Sequence, residues 1–424
     1  MVGGPSRAVR HLHFAPKPKR RRPLRWLGAV LVVLVVLALA ASVKAATAAN
    51  PALKVRATIA PTAVLAGPAP RPAWPATGEA AVEVEGLPPL GHSGPTTPEP
   101  IASLAKVMTA YVVLRDHPLA SGHDGFSVTV GGSDVADYEQ RLAQAESVVP
   151  VSLGEQLSER QLLQGLLVAS GNNFATLLAD FDAGSEPRFV AKMQSEAGRL
   201  GMGQTTYTDP SGLSSSTVSD AADQLVLAAQ AMTVPAFAET VAMTSVTLPL
   251  AGTVANFNTA VGSGGYVGIK TGSDFTAGGC LMFANRQAVG GHQFTILGVV
   301  LGQRPGLHST STLIAAATGA STALVTSIRP ALEVGTVVRA GQVVAEVTNP
   351  EGRRVPVTTE RDVTVAGYGG TTIPLSISLE KVGTALHRGQ VVALVSVAGS
   401  APVPAVAGSA MAPVSFGWKL AHDY

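Results

Sequence analysis

The chain has 424 residues, 46% hydrophobic and 14% charged, enough apolar material for two domains with added segments. Its net charge of +2 is unevenly placed: eight basic residues and no acid precede Trp26, which leaves 22 basic against 28 acidic residues in the remainder. A mildly acidic body argues against nucleic acid as partner, and a single cysteine, Cys280, excludes an internal disulfide framework.

The basic block (1–25) precedes an uncharged apolar run, "WLGAVLVVLVVLALAASV" (26–43), about the minimum length that spans a bilayer. Basic residues before it and few after predict a cytoplasmic N-terminus and an exported body, attached to the membrane through this segment. Small residues in "VKA" (43–45) offer a signal-peptidase site, which would release a secreted protein. The length of the apolar run favours a retained anchor. Residues 44–79 are rich in Ala, Pro and Thr and read as a spacer.

"AAVEVEG" (80–86) alternates and predicts the first strand, and "PEPIASLAKVMTAYVVL" (98–114) predicts a core helix. "LSERQLLQGLLVASG" (157–171) carries Ser158 and Gln161 in capping-box spacing, with Gly171 near its end. Further helices are expected at about 173–182, 186–200 and, capped by Ser219, up to Pro235. Then the pattern changes to strands: "SVTLPL", "GGYVGIKTG", "GGCLMFANR" and "HQFTILGVVLG", with a hairpin turn in "QAVGGH". A last helix is expected at about 309–328. One strand, many helices, several strands and a helix predict an α/β (α+β) domain over 80–329, with an antiparallel sheet and a helical cluster. Short strands between Gly-containing turns predict a small all-β domain over 330–399, in which "GQVVA" occurs twice. Residues 400–424 read as a flexible tail.

Ser103 and Lys106 stand three apart in that core helix, so they share a face with side chains in mutual reach. A capping serine and a snorkelling lysine would explain them, and so would a nucleophile beside its base. Past the spacer there are only five lysines, and a second, Lys270, lies in "GIKTGS". Between the two lies "ASGNN", with Ser170-x-Asn172 after an apolar helix. Each motif alone is weak, but Ser-x-x-Lys, Ser-x-Asn and Lys-Thr-Gly in this order form a specific set.

In these blocks, and in "YTDPSGL" and "VGIKTGSDFTAGGCLMFA", the chain resembles the serine-type D-Ala-D-Ala carboxypeptidases, the low-molecular-weight penicillin-binding proteins. The resemblance covers about 80–328 and continues, less securely, into the β domain. It implies that Ser103 attacks the carbonyl between two D-alanines to give an acyl-enzyme, with Lys106 acting as a neutral amine. Burial and a second lysine would both lower the Lys106 pKa. By the same resemblance Ser170 relays a proton to the leaving D-Ala and Asn172 holds the substrate amide. Lys270 and Thr271 bind the terminal carboxylate, and Gly272 lets the substrate backbone approach. The backbone amides of Ser103 and Ser273 would form the oxyanion hole. The implied partners are peptidoglycan stem peptides, with β-lactam antibiotics as inhibitors. No cofactor is implied, and no HExxH or Cys/His cluster suggests a metal.

Two positions depart from the family pattern: Ala105 before the lysine, and Asn173 after the Ser-x-Asn motif. A class A β-lactamase would need a deacylating glutamate about 35 residues past Ser-x-Asn. The stretch there, "GMGQTTYTDPSG", has none. A wall-binding or scaffold protein with a degenerate site is the remaining alternative.

Overall fold

A computed structural model describes residues 1–2, 23–306 and 309–422. The basic block before Trp26 therefore lies almost wholly outside the described residues. Helix α1 (Pro23–Thr47) contains the apolar run and extends past it, and from Trp26 to Val43 its residues are solvent-exposed apart from half-buried Ser42. Residues 26–47 are long and apolar enough to cross a membrane.

The segment expected as a spacer does more than span distance. Lys54–Ala57 pairs antiparallel with Val343–Thr348, and Thr62–Val64 pairs with Thr372–Leu379. These two short strands form the opposite edges of a seven-stranded antiparallel sheet. Leu53 and Leu65 anchor them, each buried. Strands of four and three residues between prolines carry almost no local signal, so only their distant partners identify them.

The expected tail is corrected in the same way. Val403–Ala407 lies inside that sheet, between Arg354–Thr359 and Val391–Val397. Val403, Ala405 and Ala407 are buried in a core with Val344, Val357, Val392 and Val395. The two "GQVVA" copies form the same turn. Gly341 and Gly389 both take positive φ, and Gln342 and Gln390 each accept from the backbone N–H three residues earlier.

The five-stranded antiparallel sheet runs in the order Tyr266–Asp274, Gly278–Val289, His292–Gln303, Glu79–Val84, Gly91–Ser93. The hairpin expected at "QAVGGH" joins its second and third members through Gly290 and Gly291, both at positive φ. Glu79–Val84 is not half-exposed as its alternation suggests. Five of its six residues are buried because both sheet faces are covered.

On one face lies the helical cluster. Helix α2 (Ala105–Asp116) is buried continuously from Ala105 to Leu114, as a helix apolar on all sides must be. Around it pack α3 (Gly132–Ala143), α4 (Glu159–Leu167), α5 (Asn172–Ala183), α6 (Glu186–Leu200), α7 (Ala221–Met232) and α8 (Pro235–Val241). The Ser158–Gln161 capping box forms at α4 with both reciprocal bonds. Helix α7 is capped by Asp220, which accepts from Asp223 N at 2.8 Å, and not by Ser219. Ser219 Oγ instead bonds Thr205 Oγ1.

The other face is covered by α9 (Thr310–Ile328), capped by Ser309, whose Ala317, Leu324 and Ile328 meet Leu281, Phe283 and Val300. Helix α10 (Phe416–Ala421) packs on α1.

Candidate active site

Ser103 sits in a single 3-10 turn, Ala102–Leu104, that leads into α2, and Lys106 occupies the first turn of that helix. Ser103 makes no capping bond, which removes the plain structural reading of this serine. Lys106 Nζ instead donates to Ser103 Oγ at 2.7 Å. Ala102 enters the turn at φ +47°, a conformation costly for a residue with a side chain, and several contacts hold it there.

Gly212 supplies one of them. At φ +76° it lies so close to Ala102 that an added Cβ would strike the Ala102 carbonyl. The "TDPSG" segment is fixed in turn by Asp209, which accepts from Thr217 Oγ1 at 2.6 Å, Ser211 Oγ at 2.7 Å and Leu213 N at 2.9 Å. Thr109 of α2 donates to Pro210 O at 2.6 Å, tying this turn to the serine-bearing helix.

Ser170 lies in the bend between α4 and α5. It takes φ +56°, again left-handed, and places its hydroxyl between two amines. Lys106 Nζ lies 3.4 Å from Ser170 Oγ and Lys270 Nζ lies 3.0 Å from it. Lys270 comes from the edge strand Tyr266–Asp274 and also donates to Thr271 O at 2.9 Å. Ser103, Lys106, Ser170 and Lys270 thus form one continuous hydrogen-bonded chain, drawn from a helix start, an interhelical bend and a strand.

Both amines are buried, with relative exposures of 0% and 1%. Burial is the main cause that holds Lys106 well below the ordinary lysine range, and the nearby Lys270 adds to it, partly opposed by Asp209. Burial also lowers Lys270, to about 7. A lysine amine held below its ordinary range lies 2.7 Å from the serine hydroxyl, within reach of its proton.

Gly272 packs closely on the serine-bearing turn. A Cβ there would meet Leu104 Cδ1 at 2.9 Å and Ile101 O and Ser103 N at 3.1 Å. The glycine lets the strand press against the serine-bearing turn, bringing Ser103 N beside the start of the Gly272–Ser273 backbone. Thr271 is buried and Ser273 half-buried on the same strand.

Asn172 opens α5, and its Nδ2 donates to Glu146 Oε2 at 2.8 Å, while Arg141 holds the same oxygen at 3.0 Å. Asn173, one of the departures from the family pattern, is buried and clamps Val149, accepting from its N–H and donating to its C=O. Sequence reasoning missed Glu146 and Arg141 as supports. They lie 26 or more positions before Asn172 and stand in no motif, so no local signal marks them. Cys280 is buried, its thiol pushed up to about 12 by burial, as expected of an inert structural cysteine.

Comparison with known proteins identifies the family of the chain. The model of the family described as D-alanyl-D-alanine carboxypeptidase matches residues 90–304. The D-alanyl-D-alanine carboxypeptidase DacB2 of Mycobacterium tuberculosis is 35% identical over 187 residues, 43% of this chain and 60% of that protein. DacF of Bacillus subtilis is 32% identical over 112 residues, 26% of this chain and 27% of that protein. The chain thus spans between about a quarter and three fifths of these curated relatives.

Among solved structures, the Streptomyces K15 DD-transpeptidase superposes with a TM-score of 0.50 at 25% identity, covering 62% of this chain and all of that one. Penicillin binding protein 5 from Haemophilus influenzae, at 22% identity and TM-score 0.54, shares the fold over 81% of this chain and 98% of its own. The family match takes in Asn172 together with Ser103, Lys106, Ser170 and Lys270, the four residues that the fold links by hydrogen bonds. The chain belongs to the D-alanyl-D-alanine carboxypeptidase family.

Proposed function

We propose that the protein is a serine-type carboxypeptidase that removes the terminal D-alanine from peptidoglycan stem peptides. One observation carries this reading: the unbroken contact chain from Ser103 through Lys106 and Ser170 to Lys270. Ser103 Oγ attacks the carbonyl between the two D-alanines as its proton passes to neutral Lys106. The amides of Ser103 and Ser273 stabilise the resulting oxyanion. The C–N bond then breaks, the proton reaches the departing amine through Ser170, and an ester to Ser103 remains. Water hydrolyses that ester and restores the serine.

Lys270 and Thr271 hold the substrate's terminal carboxylate, whose charge favours the protonated form of Lys270. Asn172, oriented by Glu146, accepts from the substrate amide through its side-chain oxygen. A β-lactam offers a strained amide and a carboxylate in the same places and leaves an ester on Ser103 that deacylates slowly.

The functional unit we infer over 80–329 is carried by the β unit from residue 330 onward, together with the strands at 54–57, 62–64 and 403–407. We infer further that α1 is a retained membrane anchor with the body outside the cytoplasm. Ala45 is 1% exposed, on a helix whose other residues from Trp26 to Thr47 are exposed apart from half-buried Ser42. Lys419 of α10, itself buried, donates to Ala48 O at 2.7 Å. Cleavage at 43–45 would remove the helical turns on which α10 packs.

Intact-mass measurement after mixing with penicillin tests the assignment. One added drug mass is expected, on the peptide containing Ser103, and none in Ser103→Ala. D-alanine release from a pentapeptide should likewise vanish in that variant. Rapid drug hydrolysis without adduct would make the protein a β-lactamase. Neither adduct nor hydrolysis would make it a wall-binding protein.

A further inference from the structure

One cavity of the structure is not lined by Ser103. It measures about 790 Å³ and lies between the start of the Tyr266–Asp274 strand and the C-terminal half of α9. Its lining includes Arg286, Arg329, Ser263, Thr322 and Thr326, with Gly264 and Gly265 presenting bare backbone. A second cavity of about 370 Å³ shares Pro330 with it and adds Arg71. Neither is lined by any Asp or Glu.

That lining is unusual for this protein. Beyond Trp26 the chain has more acids than bases, and the arginines around the helical cluster are paired: Arg115, Arg141, Arg160 and Arg199 all meet carboxylates. Arg71, Arg286 and Arg329 are exposed, and among the described residues none has an ion pair or side-chain hydrogen bond. Three guanidinium groups along two neighbouring cavities, neither lined by an acid among the described residues, concentrate positive potential on a body of opposite sign.

The groove is also separate from the chemistry. Tyr266, in its wall, precedes Lys270 by four residues, roughly 13 Å along a strand. Its hydroxyl bonds Ser321 of α9, on the sheet face opposite the helical cluster.

We propose that this groove binds a phosphodiester-linked polyanion of the cell envelope and holds the enzyme against it while the Ser103 site works elsewhere. Guanidinium forks match phosphate oxygens bidentately, and the flanking hydroxyls and glycine amides add neutral donors. The arginines are distributed over two cavities instead of converging on one point. That spacing suits a chain of repeated charges better than a single anion.

The basic block before Trp26 attracts polyanions by itself, so the readout must be local. Hydrogen–deuterium exchange of the full-length protein in detergent is measured with long-chain inorganic polyphosphate, with orthophosphate and with phosphatidylglycerol vesicles. Polyphosphate should slow exchange in peptides covering 260–287 and 322–331. The variant R71A/R286A/R329A should lose that protection and need at least tenfold more polyphosphate to regain it. Penicillin acylation of the variant at the wild-type rate shows that it is folded.

Protection that persists in the variant, or none in the wild type, would overturn the proposal. Equal protection by orthophosphate at the same phosphate concentration would reduce the groove to a single-ion site. Arginine-dependent protection by vesicles but not polyphosphate would assign it to the membrane surface.

Discussion

Replacing Gly272 by alanine tests how the edge strand meets the serine-bearing turn. The new Cβ would lie 2.9 Å from Leu104 Cδ1 and 3.1 Å from both Ile101 O and Ser103 N. The leucine methyl can turn aside, but the other two atoms are backbone. The turn must therefore retreat by about 0.3–0.5 Å to reach ordinary contact distance, and overpacking of this kind costs about 1–3 kcal/mol. A displacement of about 1 Å can lower rates about a hundredfold, so this smaller shift should slow acylation about tenfold. Stopped-flow acylation by a fluorescent penicillin, with a thermal melt, measures both effects.

The control is Gly198→Ala in α6, where a Cβ meets nothing within 4 Å. It should leave acylation unchanged and stabilise by about 0.5–1 kcal/mol, since alanine is the better helix former. Gly272→Ala with wild-type rate and melting temperature would refute the packing argument. A slow but fully stable variant would return Gly272 to a purely ligand-facing role.

Two further outcomes concern pH. Acylation should rise with pH along a limb whose midpoint lies well below 10.5, because burial and Lys270 favour neutral Lys106; a limb near 10 would rule out the neutral amine as base. Glu79 is buried at the start of its strand, its Oε1 without a hydrogen-bond partner among the described residues, and burial raises its pKa to about 7. The folded state then keeps a proton that the unfolded chain loses near 4.5, so this group's contribution to stability falls as pH rises from about 4.5 to 7. Glu79→Gln should flatten that decline, gaining up to about 3 kcal/mol at pH 7.5 in urea unfolding; parallel pH curves for variant and wild type would refute it.

The site motifs were legible because their information is local. Ser-x-x-Lys needs one helical turn, the Ser158–Gln161 box needs one helix start, and both formed as their spacing requires. The apolar run from Trp26 and the switch from helical to strand patterning were legible for the same reason. Tertiary structure alone decided what depends on distant partners. The spacer and tail became strands because Ala57 meets Ala345 and Val357 meets Ala407, pairings no short window contains. Glu146 orients Asn172 from another segment, and Gly272 serves a turn about 170 positions earlier. The low pKa of the two lysines was likewise a product of folding. A lysine is charged in water; removal from solvent lowers the pKa of both, and for Lys106 the neighbouring Lys270 lowers it further.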